Sequence, residues 1–354
     1  MSDSPDNEAP VIGKKKTSLL FRVITWLVTL GCFYLVFQRT DAAAAREQLS
    51  LVQYLSRFFG EANWLAWLAV MVPYSVFFFV VDAHVTWRVI RWFNTPDIKL
   101  KNVLPIRASA YILSLVNEQV GKGAMSLYLY RRYKVPGWEA ISTMILLGMM
   151  EIYQLLLFSS VGVFIGYEVV QQASSALPLD IILPTVYIVA LIYLPLHIAY
   201  FRGYLLPGSS LRDKPLLRSL REARPIHYLL ILLFKAPTII LAIVVYTVAL
   251  GLFQVQVSAA QMLAFLPVIF LAAALPLPFH AGALLLWTVL FPEYPEVGVF
   301  SLVMHTFFVV FNALIGVLFL PKANKELFAG DPDPGTIDHR YAGGDDEQPT
   351  EQGD

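Results

Sequence analysis

Cysteine is all but absent. Cys32 is the one cysteine in 354 residues, which excludes a disulfide within the chain, and no grouping of cysteine with histidine has metal-ligand spacing. Charge is scarce too: Asp, Glu, Lys and Arg supply 15% of the residues and cancel to zero, so nothing in the bulk electrostatics favours nucleic acid. A catalytic triad, a complete P-loop and a metal motif are all missing. The expectation is therefore a protein that needs no cofactor and is not an enzyme. What fills the chain is apolar side chain, 57% of residues with a mean hydropathy of +0.61, too much for a soluble domain of this length. This composition predicts an all-α polytopic membrane protein.

Residues 1–16 are polar and end in Lys14, Lys15 and Lys16, and an apolar span is predicted over 17–37, where Cys32 reads as a packing residue. The alanines at 42–45 do not mark signal cleavage, because the apolar stretch before them is about 20 residues long rather than 7 to 15. Residues 41–60 read as an amphipathic surface helix. Further spans are predicted over 63–81, 139–167, 181–200, 227–253 and 297–320, with Pro237 as an internal kink. The tail from Lys322 onward is rich in Asp, Gly and Pro and reads as disordered.

Two apolar runs are broken. The first, 105–134, contains LSLVNEQVGKGAMSLYLYRRYK, whose polar centre leaves two legs of about 11 residues, each reaching roughly 17 Å against about 30 Å of hydrocarbon. The second, 259–291, is interrupted by LPLPFHAG at 275–282. Basic residues assign the sides. Lys14–Lys16, the region from Arg88 to Lys101, Arg131–Lys134, the loop 202–224 and Lys322 with Lys325 are expected in the cytoplasm. The links 38–62, 168–180, 254–258 and 292–296 carry few basic residues and are expected outside.

On that count both termini are cytoplasmic, the first broken run enters and leaves by the cytoplasmic face, and the second does so by the outer face. The predicted fold is about six full spans plus two opposed re-entrant hairpins in an inverted repeat, with 17–168 as first repeat, 169–321 as second, and tails at 1–16 and 322–354. The alternative is eight ordinary spans.

Polar groups inside this frame are the candidate functional residues. Asn117, Glu118, Gln119 and Lys122 form the first tip. Glu118 and Lys122, four apart, either satisfy each other or recognise a headgroup, and Lys122 between Gly121 and Gly123 suits a phosphate. Glu151 lies near mid-membrane, facing the first tip as structural clasp or as transport residue, with Lys122 or the amides of Asn117 and Gln119 as expected partners. Arg88, Arg91, Arg131 and Arg132 form a basic rim that either anchors topology or binds anionic headgroups, and Asp82 and His84 are placed to pair with it. His280 at the second tip serves as a hydrogen-bonded structural group or as a substrate or proton group. His305 and Asn312, seven apart, share one face of the last helix, expected to meet the second hairpin.

The first hairpin followed by RRYKVPGWEAISTMILLGMMEIYQLLLF, the tip LPLPFHAG and the closing MHTFFVVFNALIGVLFLP together resemble the transmembrane region of lysylphosphatidylglycerol synthases and related flippase-like membrane proteins. The resemblance spans most of 17–321 and gives Asn117, Gly121, Lys122, Arg131 and Glu151 counterparts. Ala124 and Ser126 stand where that family carries an acidic residue and an arginine, and His280, Ala281 and Gly282 replace its Gly-Gly and acidic residue. The resemblance implies a multi-pass protein of the inner cell membrane that handles lipid headgroups by translocating them. It does not imply synthesis, because only a polar tail follows Leu320. The alternative is a non-transporting accessory that binds lipid or a membrane enzyme, and a third reading is an intramembrane enzyme acting on lipid-linked substrates.

The topology predicts the outcome of an accessibility map. With Cys32 replaced and single cysteines placed at 119, 124, 279 and 283, impermeant thiol reagents should label the first two only from the cytoplasm and the last two only from outside. Cytoplasmic labelling at 279 and 283 would mean that the second run crosses the membrane.

Overall fold

The computed structural model describes residues 19–114, 118–173, 178–275 and 277–328. Every regular element among them is a helix: α1 (Leu19–Arg46), α2 (Leu51–Gly60), α3 (Trp64–Phe93), α4 (Leu100–Ser114), α5 (Glu118–Tyr133), α6 (Gly137–Ile165), α7 (Tyr167–Ala173), α8 (Leu179–Phe201), α9 (Arg218–Glu222), α10 (Pro225–Gly251), α11 (Ala259–Ala273), α12 (Ala281–Leu290) and α13 (Val297–Leu327). Six of these, α1, α3, α6, α8, α10 and α13, are long and apolar enough to cross a bilayer. The chain is an all-α polytopic membrane protein. Helices α4, α5, α11 and α12 have 15, 16, 15 and 10 residues and are too short to cross. They pair as α4 with α5 and α11 with α12, at the two places where the apolar runs are broken.

Several boundaries differ from the sequence reading. The first span continues through the alanines to Arg46, so the amphipathic surface helix is only α2, the link after α6 holds the short helix α7, and the last helix runs past Lys322 to Leu327. Apolar content stops where the sequence reading stopped, but helical hydrogen bonding does not depend on it. Pro237 leaves α10 a single helix, and beside it the Thr238 hydroxyl donates to the Lys235 carbonyl at 2.7 Å. Local hydroxyls of this kind are one way a membrane helix tolerates proline.

The chain divides into two compact units, and neither follows the two halves of the sequence. One holds Met1–Tyr74, Ile152–Leu194 and Ile239–Thr306; the other holds Ser75–Glu151, Pro195–Thr238 and Phe307–Asp354.

In the first unit α12 packs on both α1 and α11. Helix α2 begins with a reciprocal cap: the Gln53 amide donates to the Ser50 hydroxyl and the Ser50 amide to the Gln53 side chain. Its buried Tyr54 donates to Glu296 Oε2 at 2.6 Å. Burial pushes the Glu296 carboxyl above its ordinary range, against the lowering effect of the tyrosine bond. Rings pack around this helix, edge to face between Phe59 and Phe253, Trp64 and Trp67, and Trp64 and Phe253, and tilted between Phe58 and Phe253 and between Phe253 and Phe300.

In the second unit α4 and α5 form a hairpin on a core that includes Ile90, Val103, Ile106, Met125, Tyr128 and Leu129. The Glu326 carboxylate ties both legs to the end of α13: Asn102 of α4 and Tyr128 of α5 donate to it, and Arg132 stands 4.0 Å away. Basic loop 202–224 is bound to α6 by the pairing of Arg218 with Glu139 and by the Ser219 amide, which donates to Ser142 Oγ at 2.9 Å.

Helices α4 and α13 approach closely because Gly316 has no side chain. A Cβ there would lie 2.6 Å from the Ala108 carbonyl oxygen and 2.8 Å from Ile112 Cγ1. Gly316→Ala should therefore cost about 1–3 kcal/mol through overpacking. At Gly31 of α1 an added Cβ meets nothing within 4 Å, so Gly31→Ala should be neutral or gain up to about 1 kcal/mol. Thermal unfolding of both variants in one detergent checks the opposite signs.

Candidate functional site

The second unit gathers charge from four helices into an apolar setting. Asp82 lies on α3, six residues before Arg88 and nine before Arg91 in its basic end. Arg107 lies on α4 and donates from Nε to Asp82 Oδ2 at 2.6 Å, while the Tyr111 hydroxyl, one turn on, donates to the same oxygen at 2.8 Å. The side chains of Asp82 and Arg107 are 9% and 16% exposed, so the pair has left water almost completely. Lys235 on α10 is buried as well, and its Nζ stands 3.6 Å from Glu151 Oε1 on α6. The charge of Lys235 also acts on Asp82 and that of Glu151 on Arg107, so the two pairs form one electrostatic group.

Two cations and two carboxylates balance, which is what burial demands. The two pairs are not equally tight. Asp82 accepts two hydrogen bonds shorter than 3 Å, whereas Lys235 and Glu151 are apart by more than a hydrogen bond and the Glu151 side chain is 41% exposed. The arrangement holds Arg107 tightly on its carboxylate and sets Lys235 at longer range from Glu151.

Nearby polar atoms have spare capacity. Asn312 Oδ1 on α13, Ser109 Oγ on α4 and Ser75 Oγ on α3 are buried with no hydrogen-bond partner among the described residues. Such atoms are rare in apolar interiors. Asn312 belongs to the stretch of α13 that packs on α4 in this unit, through Phe311, Ile315 and Gly316.

The other candidates fall as follows. Asn117 lies outside the described residues, as do the side chains of Glu118, Gln119 and Lys122, whose backbone forms the first turns of α5. The expected partners of Glu151 were Lys122 and the tip amides; its partner among the described residues is Lys235. Asp82 pairs with Arg107 rather than with the basic rim, because α4 runs alongside α3 at that depth. His84 does meet the rim, accepting from Arg88 Nε at 3.4 Å. Arg88 covers the rings of Trp87 and Phe234, Arg91 covers Trp87 and donates to the Pro96 carbonyl, and Arg131 covers Phe328. These are contacts of anchored interfacial arginines. In the first unit His280 and His305 come into ring contact, with centroids 3.9 Å apart, so the His305 face does meet the second hairpin.

The chain stands alone in every comparison. No family model, no curated protein and no solved structure matches it.

Sequence reading missed Arg107, Tyr111 and Lys235. The signal was present: Arg107 sits in an apolar leg and Lys235 in LLILLFKAPTII, and an ionisable residue inside a membrane helix is a functional candidate by default. Attention to the glycine-rich tip and to Pro237 passed over them.

Removing one partner of the tight pair should cost far more than removing both. Asp82→Ala leaves Arg107 buried without a counter-charge and should destabilise by about 3–5 kcal/mol, whereas Asp82→Leu combined with Arg107→Leu should recover most of that loss. A double-mutant cycle read by denaturation in micelles measures the difference.

Proposed function

We propose that the protein is a lipid translocase of the inner cell membrane, one that passes an anionic or zwitterionic headgroup across while the acyl chains stay in the bilayer. The observation that carries this reading is the charge group of Asp82, Arg107, Glu151 and Lys235, drawn from four apolar helices. Buried charge is costly, and an ionisable residue inside a membrane helix is a functional candidate by default. The resemblance of the hairpins to those of flippase-like membrane proteins points the same way.

The chemistry follows from the unequal pairs. A headgroup phosphate takes Lys235 from Glu151, since that contact is longer than a hydrogen bond and Glu151 is the exposed member. Arg107 remains fixed by Asp82 and Tyr111 and adds positive potential without leaving its carboxylate. Glu151, freed of Lys235, is neutralised by a proton or by the ammonium of a zwitterionic lipid, which keeps the group balanced at each step. A proton taken up this way couples transport to a pH gradient. Arg88, Arg91, Arg131 and Arg132 serve as a basic approach for anionic lipids.

A second reading has one observation in its favour. Arg107 and Tyr111 both donate to Asp82 Oδ2, a local pairing that a non-transporting accessory binding lipid or a membrane enzyme would also carry.

Reconstitution separates the two. In vesicles holding headgroup-intact phosphatidylglycerol or phosphatidylethanolamine with a fluorescent acyl chain, the native protein should expose inner-leaflet probe to an impermeant quencher. Lys235→Met and Glu151→Gln should slow this by at least about tenfold, the loss of one interaction worth 1.4 kcal/mol or more, with unfolding temperature preserved. Unchanged rates in both variants would overturn the assignment of the site, and no exposure of either lipid by the native protein would favour the accessory.

A further inference from the structure

The histidine pair of the first unit stands apart from the charge group and calls for its own account. His280 and His305 meet with ring centroids 3.9 Å apart and planes at 49°. His280 Nδ1 lies 2.7 Å from the Ala273 carbonyl oxygen, at the end of α11. A carbonyl accepts only, so Nδ1 carries hydrogen and a proton arriving at His280 has Nε2 as its one destination.

The backbone around His280 is held in an uncommon form. Phe279 and His280 are consecutive non-glycine residues in the left-handed region, at φ 56° and 50°. Residues in this state persist only where their surroundings impose it, and they cluster at switch regions. Here the surroundings are visible. The Phe279 ring is seated edge-on against Trp26 and Phe33 of α1, His280 is bonded to α11, and the residue before His305, Met304, accepts from Trp67 Nε1 at 3.3 Å.

We propose that His280 and His305 form a proton-binding site that latches the tip of the α11–α12 hairpin to α13. With the rings neutral they pack. One proton charges one ring while the other stays neutral, and the contact survives. A second proton puts like charges about 4 Å apart in a partly buried setting, which drives the rings apart and lets the left-handed tip relax.

Charges on neighbouring elements do not offset this. Helices α11 and α12 have no titratable side chain. Helix α1 offers Arg22, Cys32, Tyr34, Arg39, Asp41 and Arg46, α7 offers Tyr167 and Glu168, and Glu293, Tyr294 and Glu296 precede α13. No hydrogen bond or ion pair links any of these to either ring among the described residues. The site does not depend on lipid being the transported species.

The test uses the full chain in vesicles, with Cys32→Ala and one reporter, Leu275→Cys at the tip or Val52→Cys on α2 as the reference that cancels the reagent's own pH dependence. Both positions are exposed, at 53% and 72%. Between pH 8 and pH 4 the ratio of tip to reference labelling rates should rise about fivefold. In His305→Phe, which keeps a ring in the contact and cannot take a proton, the ratio should stay flat; His280→Gln serves the same purpose if that variant does not fold. A flat ratio with both histidines present overturns the latch, and so does a rise that survives in either histidine variant.

Discussion

Charge that leaves water must be compensated on the spot, and the second unit is arranged around that constraint. Asp82 commits Arg107, Arg107 fixes the depth of α4 against α3, and Tyr111 sets its rotation. The short helix α4 cannot anchor itself by length. It is positioned by this polar contact at one end of its reach and by Asn102 on Glu326 at the other, with Gly316 of α13 admitting its backbone between them. The apolar core of Ile90, Val103, Ile106 and Met125 then supplies contact area to a register that polar groups have selected. Non-directional packing alone would leave a helix of that length free to slide.

The same logic separates the two hairpins. The α4–α5 pair is pinned by ions, while the α11–α12 pair is held by aromatic rings, one histidine bond to a carbonyl and a strained tip. An ion pair with two short hydrogen bonds tolerates little displacement. A ring contact tolerates more. The fold thus carries one helical pair held by charge and one held by ring contacts.

Much of the architecture was legible in the sequence. Six apolar runs of bilayer length and two broken ones became six long helices and two helical pairs, because hydropathy over a long window reports directly on burial in lipid. Residue-level chemistry was less legible. Glu151 was found because it interrupts a long apolar run, but its partner Lys235 is 84 residues away and nothing local to either one announces the pair. His280 and His305 were picked out singly, and only the turn at Phe279 brings the rings together. Helix ends were least legible: Asp41–Arg46, four alanines between two charges, and the polar stretch Lys322–Leu327 are helical by continuity with what precedes them.

Helix α8 shows how little some parts of such a chain must specify. In its apolar window 11% of the residues are buried, and its ties include the Tyr153 hydroxyl donating to the Ala190 carbonyl, Tyr187 meeting Ser159, and Tyr193 stacking on Tyr153. An aliphatic coat of this kind asks of each residue little beyond hydropathy. Along this helix Ile, Val and Leu are exchangeable at little cost, whereas Asp82, Arg107 and the pair on Glu151 cannot be changed one at a time without leaving a charge uncompensated.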